Sequence, residues 1–416
     1  MDEAGNWLDR PFAILEHVND KLELQFSQVD EATKSVLKKT VGSFGEGKDR
    51  FEDDDKTNAK IVARDLGSRM KSHTRDINKA KPPFLNFDDL SDLFGSPIKQ
   101  PEEEAQSAPD SGEDNGESKA EPKDSEAAAT CNPSSPSIRP EWSSYSSADR
   151  TAFVDAIKCL QDKPSGGSQF TGARNRYEDL ISVHRGMTAN IHQTAAFLVW
   201  HRYFVWVFEQ LLRNECGFNR AMPWWDETKH AGAFAASDVF TEQWFGHLPA
   251  KTSNGQGTCI ESGEFSGTTL HVGPGTSNSD HCLSRAVDES QTAQCNKDFT
   301  NSCLSMGSYE EFRDCFELGP HGYGHNGIGA VMAEVSASVG DPVFFMHHLF
   351  VDHTFRIWQN ANPSRRTTIS GCADAANPCT PITLDTKLSS NGIGPDLTVR
   401  QAMNTLGGSL CYRYDY

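Results

Sequence analysis

No stretch of this 416-residue chain is apolar enough to cross a bilayer, and the longest candidate, Ala195 to Phe208, is broken by His201 and Arg202. There is no surplus of positive charge. The chain has 58 acids against 39 bases, a net of −19, which argues against nucleic acid or an anionic membrane as the main partner, because both reward basic patches. The first twenty residues have neither a cationic start nor an apolar core, so no secretory signal is read there. No N-x-Ser/Thr sequon free of proline occurs anywhere. Cysteine is missing from residues 1–130, and histidine is nearly so, with only His17 and His73. Residues 100–129 contain no aromatic, Leu, Ile or Val, so they cannot bury enough apolar surface to offset the entropy of ordering.

These gaps divide the chain. Residues 1–130 hold 29 acids and 18 bases, a net of −11, and the remainder holds 29 and 21, a net of −8. Residues 1–99 read as a weakly helical region without an assigned role. Phe26, Val29, Val36, Leu37 and Val41 recur near helical spacing there, and Phe84 to Phe94 alternates acids with Phe and Leu. That segment reads as a weakly ordered tail, with a docking peptide for a protein partner as the alternative. Residues 100–130 read as a disordered acidic linker, and 131–416 can bury a substantial core as one domain.

That domain is predicted to be mainly α. Ser146, with Asp149 three residues on, marks a helix start, and Phe153, Ala156, Ile157 and Leu160 follow at helical spacing. A long helix is expected over His192–Asn214. Another starts at Asp341-Pro342, an N-cap followed by proline in the first turn, and runs to about Gln359. Ala231 to Gly319 is rich in Gly, Ser and Thr and holds five cysteines, so it reads as loops stapled by disulfides. Pairing ten of the 11 cysteines leaves one over, and the sequence does not say which.

Histidine carries the functional signal. His184 is expected to close one helix, His192 to sit in the following loop or first turn, and His201 to project from mid-helix, so that three imidazoles converge. His321 and His325, four apart, share a helix face, and His348 on the helix from Asp341-Pro342 completes a second set. His347 points about 100° away from His348 around that helix, so one of the two should face a metal. Asp352, one turn after His348, is placed to accept a hydrogen bond from an imidazole and fix its tautomer. Phe197 and Phe344 each precede a candidate ligand by four residues and should pack against it. His230, His247, His271, His281 and His353 are read as ordinary core or surface residues. All-imidazole ligation suits copper, zinc, iron or nickel. A single tri-histidine zinc site would be hydrolytic. Two such sets without bridging carboxylates fit a pair of coppers better.

The stretch from Val199 to Glu227, VWHRYFVWVFEQLLRNECGFNRAMPWWDE, resembles the first copper segment of fungal tyrosinases and catechol oxidases. DPVFFMHHLFVDHTFRIWQ resembles their second, and HGYGH the pair that precedes it. The likeness spans roughly Cys131 to Tyr416. It implies a type-3 dicopper site in a four-helix-bundle core with long loops and few strands. His184, His192 and His201 would hold one copper, and His321, His325 and His348 the other. The second histidine of the His347-His348 pair is the ligand in that family.

The resemblance also implies that Glu317, four residues before His321, orients a water or acts as general base, and that Tyr412-x-Tyr414 closes the core against Arg139. Asn190 stands where many fungal members carry a thioether cysteine, so no thioether is expected. Gly322 stands where an asparagine helps to deprotonate a monophenol, with Asn326 a partial substitute. Monophenol hydroxylation is therefore expected to be weak or absent. With the sequence ending two residues after the Tyr-x-Tyr motif, the resemblance implies a short form, and the C-terminal domain that shields latent tyrosinases is not expected. The expected activity is oxidation of o-diphenols, and of o-aminophenols as a neighbouring class, to o-quinones with O2 reduced to water. A full tyrosinase and an inactive oxygen-binding protein are the alternatives. Cysteine usage favours an extracellular, oxidising compartment, against the missing signal.

Overall fold

The computed structural model describes residues 134–252 and 257–415. The expected helix around Phe26–Val41, the Phe84–Phe94 segment and the acidic linker lie outside the described residues.

Four helices of 16 to 20 residues form the centre, and three of them come first in the chain. Helix α1, Ser147–Asp162, starts where the sequence places it: the Ser146 side chain accepts from the Asp149 amide, and Phe153, Ala156, Ile157 and Leu160 are buried. Helix α2, Arg176–Ile191, is capped by Asn175, whose side chain accepts from the Glu178 amide, with Glu178 and Asp179 in its first turn. Helix α3, Phe197–Cys216, is buried almost all round, as befits an element packed on every side. It ends at Gly217, whose left-handed φ of 67° lets its N–H turn back to the Leu212 carbonyl. Cys159–Cys216 ties the ends of α1 and α3.

The predicted helix over His192–Asn214 is therefore corrected. It begins five residues later, because His192 leaves α2 in extended backbone and Gln193 takes a left-handed φ of 55°. His184 does not close its helix but lies in the middle of α2.

The region expected to be all loops is looped only in its first half. Four two-residue strands, β2 (Thr258–Cys259), β3 (Thr269–Leu270), β4 (His281–Cys282) and β5 (Ser284–Arg285), pair antiparallel as β2 with β5 and β3 with β4, stapled by Cys259–Cys282. Then come short helices α4 (Glu289–Thr292), α5 (Lys297–Leu304) and α6 (Tyr309–Phe316). A full capping box between Ser308 and Glu311 starts α6, and Cys303–Cys315 joins it to α5. Cys295, buried, is the free cysteine among the described residues.

A widened turn, Glu317–His321, follows α6. Gly319 leaves helical geometry and Pro320 has no N–H to donate, so the chain is re-aimed before helix α7, Gly322–Ile328. Helix α8, Val343–Ala361, begins at Asp341-Pro342 as expected and runs two residues past Gln359. Asp341 caps it by accepting the Val343 amide at 3.0 Å, and is itself gripped by Arg285 at 2.6 and 2.9 Å, both side chains fully buried. Helices α3 and α8 pack face to face, with the Phe208 and Phe345 rings stacked 3.6 Å apart. The mainly helical reading holds.

The two ends of the described chain meet. β1 (Ser137–Arg139) pairs in parallel with β8 (Tyr412–Tyr414), in the register Arg139 opposite Tyr414. Between α8 and β8 lie the short antiparallel pair β6 (Lys387–Leu388) and β7 (Leu397–Thr398) and helix α9, Val399–Met403.

Candidate metal centre

Two groups of histidines come together, each with its donor nitrogens within 4.8 Å of one another: His184, His192 and His201, and His321, His325, His347 and His348. All are buried, and His192 is the most open of them at 8%. No carboxylate or thiolate belongs to either group.

The supporting elements explain the convergence. His184 projects from mid-α2, His192 from the residue that ends it, and His201 from the second turn of α3. His321 closes the widened turn, His325 lies on α7, and His347 and His348 on α8. The rings of the first set lie 5.0 to 5.5 Å apart. In the second, His321, His325 and His348 are 4.6 to 5.6 Å apart. His201 and His348 stack at 4.4 Å, so the two sets abut.

The hydrogen bonds decide the tautomers. Nδ1 of His184 faces the Ser336 carbonyl at 3.0 Å, that of His192 the Thr188 carbonyl at 3.0 Å, and that of His201 the Phe197 carbonyl at 2.8 Å. Nδ1 of His321 faces the Glu317 carbonyl at 2.9 Å and that of His325 the Met332 carbonyl at 2.7 Å. A carbonyl only accepts, so each of these five rings carries its proton on Nδ1 and keeps Nε2 as a lone-pair donor. The Nε2 atoms of His184 and His201 face one another at 3.4 Å, two lone pairs that repel unless a cation lies between them. His348 is buried with neither ring nitrogen bonded.

Burial holds the imidazoles uncharged: it lowers His184 to about 4 and pushes His192, His201, His321, His325 and His348 well below the usual histidine range. Neutral, pre-oriented nitrogens without carboxylates are a donor set for copper or zinc, and two abutting sets fit a pair of coppers.

Phe197 and Phe344 do more than precede a ligand. Phe197 lies 4.8 Å from His201 and 4.7 Å from His321, and Phe344 lies 4.1 Å from His348 and 5.2 Å from His184, so each ring touches both sets. Glu317 is fully buried. Its Oε1 accepts the Gln193 amide at 2.6 Å and its Oε2 pairs with Arg313 at 2.9 Å, which links the loop after His192 to the turn before His321. Burial pushes its carboxyl up to about 7, against the pull of Arg313 and the Gln193 amide. Gly322 opens α7 with the Glu317 carbonyl 3.4 Å from where a Cβ would stand. Asn326 follows His325, its buried carboxamide oxygen without a partner. Asn190, in place of the thioether cysteine, accepts from the Ala375 amide at 3.3 Å.

Two expectations need correction. Asp352 bonds no imidazole. Its carboxylate accepts from Arg202 at 2.5 Å, from Arg139 at 3.4 Å and from the hydroxyls of Tyr412 and Tyr414. It lies a turn beyond His348 and faces the chain-end junction, where two buried cations take up its oxygens. His347 was expected to turn away if His348 faces the metal, yet both belong to the second group, their rings 4.6 and 5.6 Å from that of His325 on α7. The sequence reading missed its partner, Glu227, whose Oε1 meets His347 Nδ1 at 2.5 Å. Burial pushes Glu227 well above the usual carboxylate range and lowers His347 to about 3. The glutamate was on the page in MPWWDE, but nothing in its spacing pointed across 120 residues. Among the histidines set aside, His353 stacks on Trp224 at 3.7 Å and His271 pairs with Glu178 at 2.8 Å, and neither joins a cluster.

Residues 174–361 match the common central domain of tyrosinase, a span that opens at the start of α2 and closes at the end of α8. The chain is 28% identical to N-acetyl-6-hydroxytryptophan oxidase ivoB of Emericella nidulans over 68% of this chain and 94% of that protein. It is 30% identical to tyrosinase P of Aspergillus terreus over 67% of this chain and 92% of that protein. Its structure is similar to that of a polyphenol oxidase from Thermothelomyces thermophila, with a TM-score of 0.62 and 27% identity over 69% of this chain and 91% of that one. The chain belongs to the fungal tyrosinase family of oxidases, whose type-3 members bind two copper ions.

Proposed function

We propose that this oxidase acts on o-diphenols, and on o-aminophenols as a neighbouring class, converting two catechols and one O2 into two o-quinones and two waters. His184, His192 and His201 would hold one copper, and His321, His325 and His348 the other. Bound copper would supply the redox chemistry toward O2 that no side chain here can perform. The chain's own contribution is to exclude water and hold protons. Phe197 and Phe344, packed between the two sets, keep their shared space dry. Glu317 takes the phenol proton at its carboxylate, with a buried pKa close to neutral favouring that exchange.

The observation that carries the preference for o-diphenols is Gly322. At the start of α7, beside the Glu317 carbonyl, there is no side chain to help Glu317 deprotonate a monophenol. A catechol needs less help, because its oxidation inserts no oxygen. One observation favours a second reading, monophenol hydroxylation: the buried, unpartnered carboxamide oxygen of Asn326 one turn further on. The test compares oxidation of a catechol and its matching monophenol by the wild type, Gly322→Asn and Asn326→Ala. Ready oxidation of the catechol alone, with a monophenolase gain in Gly322→Asn, supports the first reading. Efficient monophenol turnover by the wild type that Asn326→Ala abolishes supports the second.

A further inference from the structure

We propose that Glu227, acting through His347, positions the second imidazole set, so that Glu227 governs retention of the copper held by His321, His325 and His348. The proposal rests on reading those three histidines as ligands.

The geometry begins at the pair itself. Glu227 and His347 are both fully buried, and a carboxyl in that setting without a partner would be costly, so their hydrogen bond fixes the imidazole's rotation. The ring so fixed lies against the second set. It is near parallel to His321 at 5.2 Å and 25°, edge-on to His325 at 4.6 Å and 78°, and perpendicular to His348 at 5.4 Å and 86°. Helix α7 rests on the pair directly. A Cβ at Gly324 would come within 2.5 Å of His347 Cε1 and 3.1 Å of Glu227 Oε2, so only a glycine lets the helix carrying His325 approach this closely.

Glu227 is held in turn. It opens a short 3₁₀ turn, Glu227–His230, capped by Asp226, whose carboxylate accepts the Thr228 amide at 3.1 Å. The turn hangs from the segment just after β1: Trp224 N–H donates to the Pro140 carbonyl, and Lys229 reaches Glu141 at 2.6 Å. One line of contacts thus runs from the chain-end junction through Glu141 and the Glu227 turn to His347 and the imidazoles of α7.

The test uses the full chain reconstituted with copper, comparing wild type, Glu227→Ala, Glu227→Asp and Glu227→Gln. Copper per chain is measured after dialysis against graded chelator, beside circular dichroism and melting temperature. Glutamine keeps the reach and can offer Nδ1 an amide oxygen or N–H, whereas aspartate keeps the carboxyl group but falls short. The proposal expects wild type and Glu227→Gln to hold two coppers, and Glu227→Asp and Glu227→Ala to hold one firmly and the other ~10–100-fold more weakly. It is overturned if the alanine and aspartate variants hold both coppers as tightly as wild type, or if both coppers weaken together with the melting temperature, which is what a merely structural role gives. It is also overturned if folded Glu227→Gln loses the second copper as readily as Glu227→Asp. Should Glu227→Ala fail to fold, the aspartate–glutamine contrast decides. A wild type that binds no copper fails the ligand reading itself, whereas two coppers in a wild type indistinguishable from its variants fails this proposal alone.

Discussion

The guanidinium carbon of Arg139 lies 3.4 Å above the ring centroid of Tyr412, a cation over an aromatic face joining residues 273 apart in the sequence. Around it Arg139 also pairs with Glu209 at 2.7 Å and shares Asp352 with Arg202, all of them buried. Removing one member leaves the others charged and dry. Arg139→Ala is expected to lower stability by ~3–5 kcal/mol, read from denaturant midpoints, whereas an exposed pair such as Arg174–Asp280 should contribute little.

The same junction sets an acid limit. Burial alone would raise the Asp352 carboxyl, but Arg202, Arg139 and the two tyrosine hydroxyls outweigh it and hold it below the usual aspartate value of 3.8. A carboxyl with a depressed folded pKa stabilises the fold above its unfolded pKa, and that contribution is lost as pH falls through the folded value. Wild type should therefore lose stability below about pH 4 more steeply than Asp352→Asn, itself weaker at neutral pH. Parallel melting curves between pH 5 and 3 would contradict this.

Copper removal should expose a second pH dependence. Burial depresses His184 and His353 to about 4 in the fold, from 6.5. Their contribution is full above 6.5 and lost as pH falls toward 4, at ~1.4 kcal/mol per histidine for each unit crossed. The chelator-stripped protein should melt markedly lower at pH 5 than at pH 7.5, and a flat profile would contradict the buried neutral imidazoles.

Glu317→Gln tests proton handling. The amide can still meet Arg313 or the Gln193 amide with its oxygen but cannot take a proton. Copper content should stay at two per chain, as the family binds, while kcat for a catechol falls by ~10²–10⁴-fold and KM changes little. Equal loss of copper and of kcat would make Glu317 a scaffold residue instead.

Much of this centre was legible in the sequence because its signals are local. The four-residue step from His321 to His325 and the Asp341-Pro342 helix start each follow from backbone geometry over a turn or two. The six histidines that the family resemblance implied as ligands fall within the two clusters. What was misread depends on contacts across the chain. His192 falls outside α3 because Gln193 turns left-handed to meet Glu317, 124 residues away. Asp352 faces Arg202 and Tyr412 rather than an imidazole because those cations and hydroxyls arrive from other elements. Glu227 was invisible as a partner for the same reason.

The most direct test of the central claim is oxygen uptake by the copper-loaded chain with a simple catechol, beside His201→Ala. The wild type should bind two coppers and take up oxygen briskly, and the variant, whose first set has lost a donor, should bind about one copper and take up none. A wild type that binds two coppers yet consumes no oxygen with any catechol or o-aminophenol would contradict that claim.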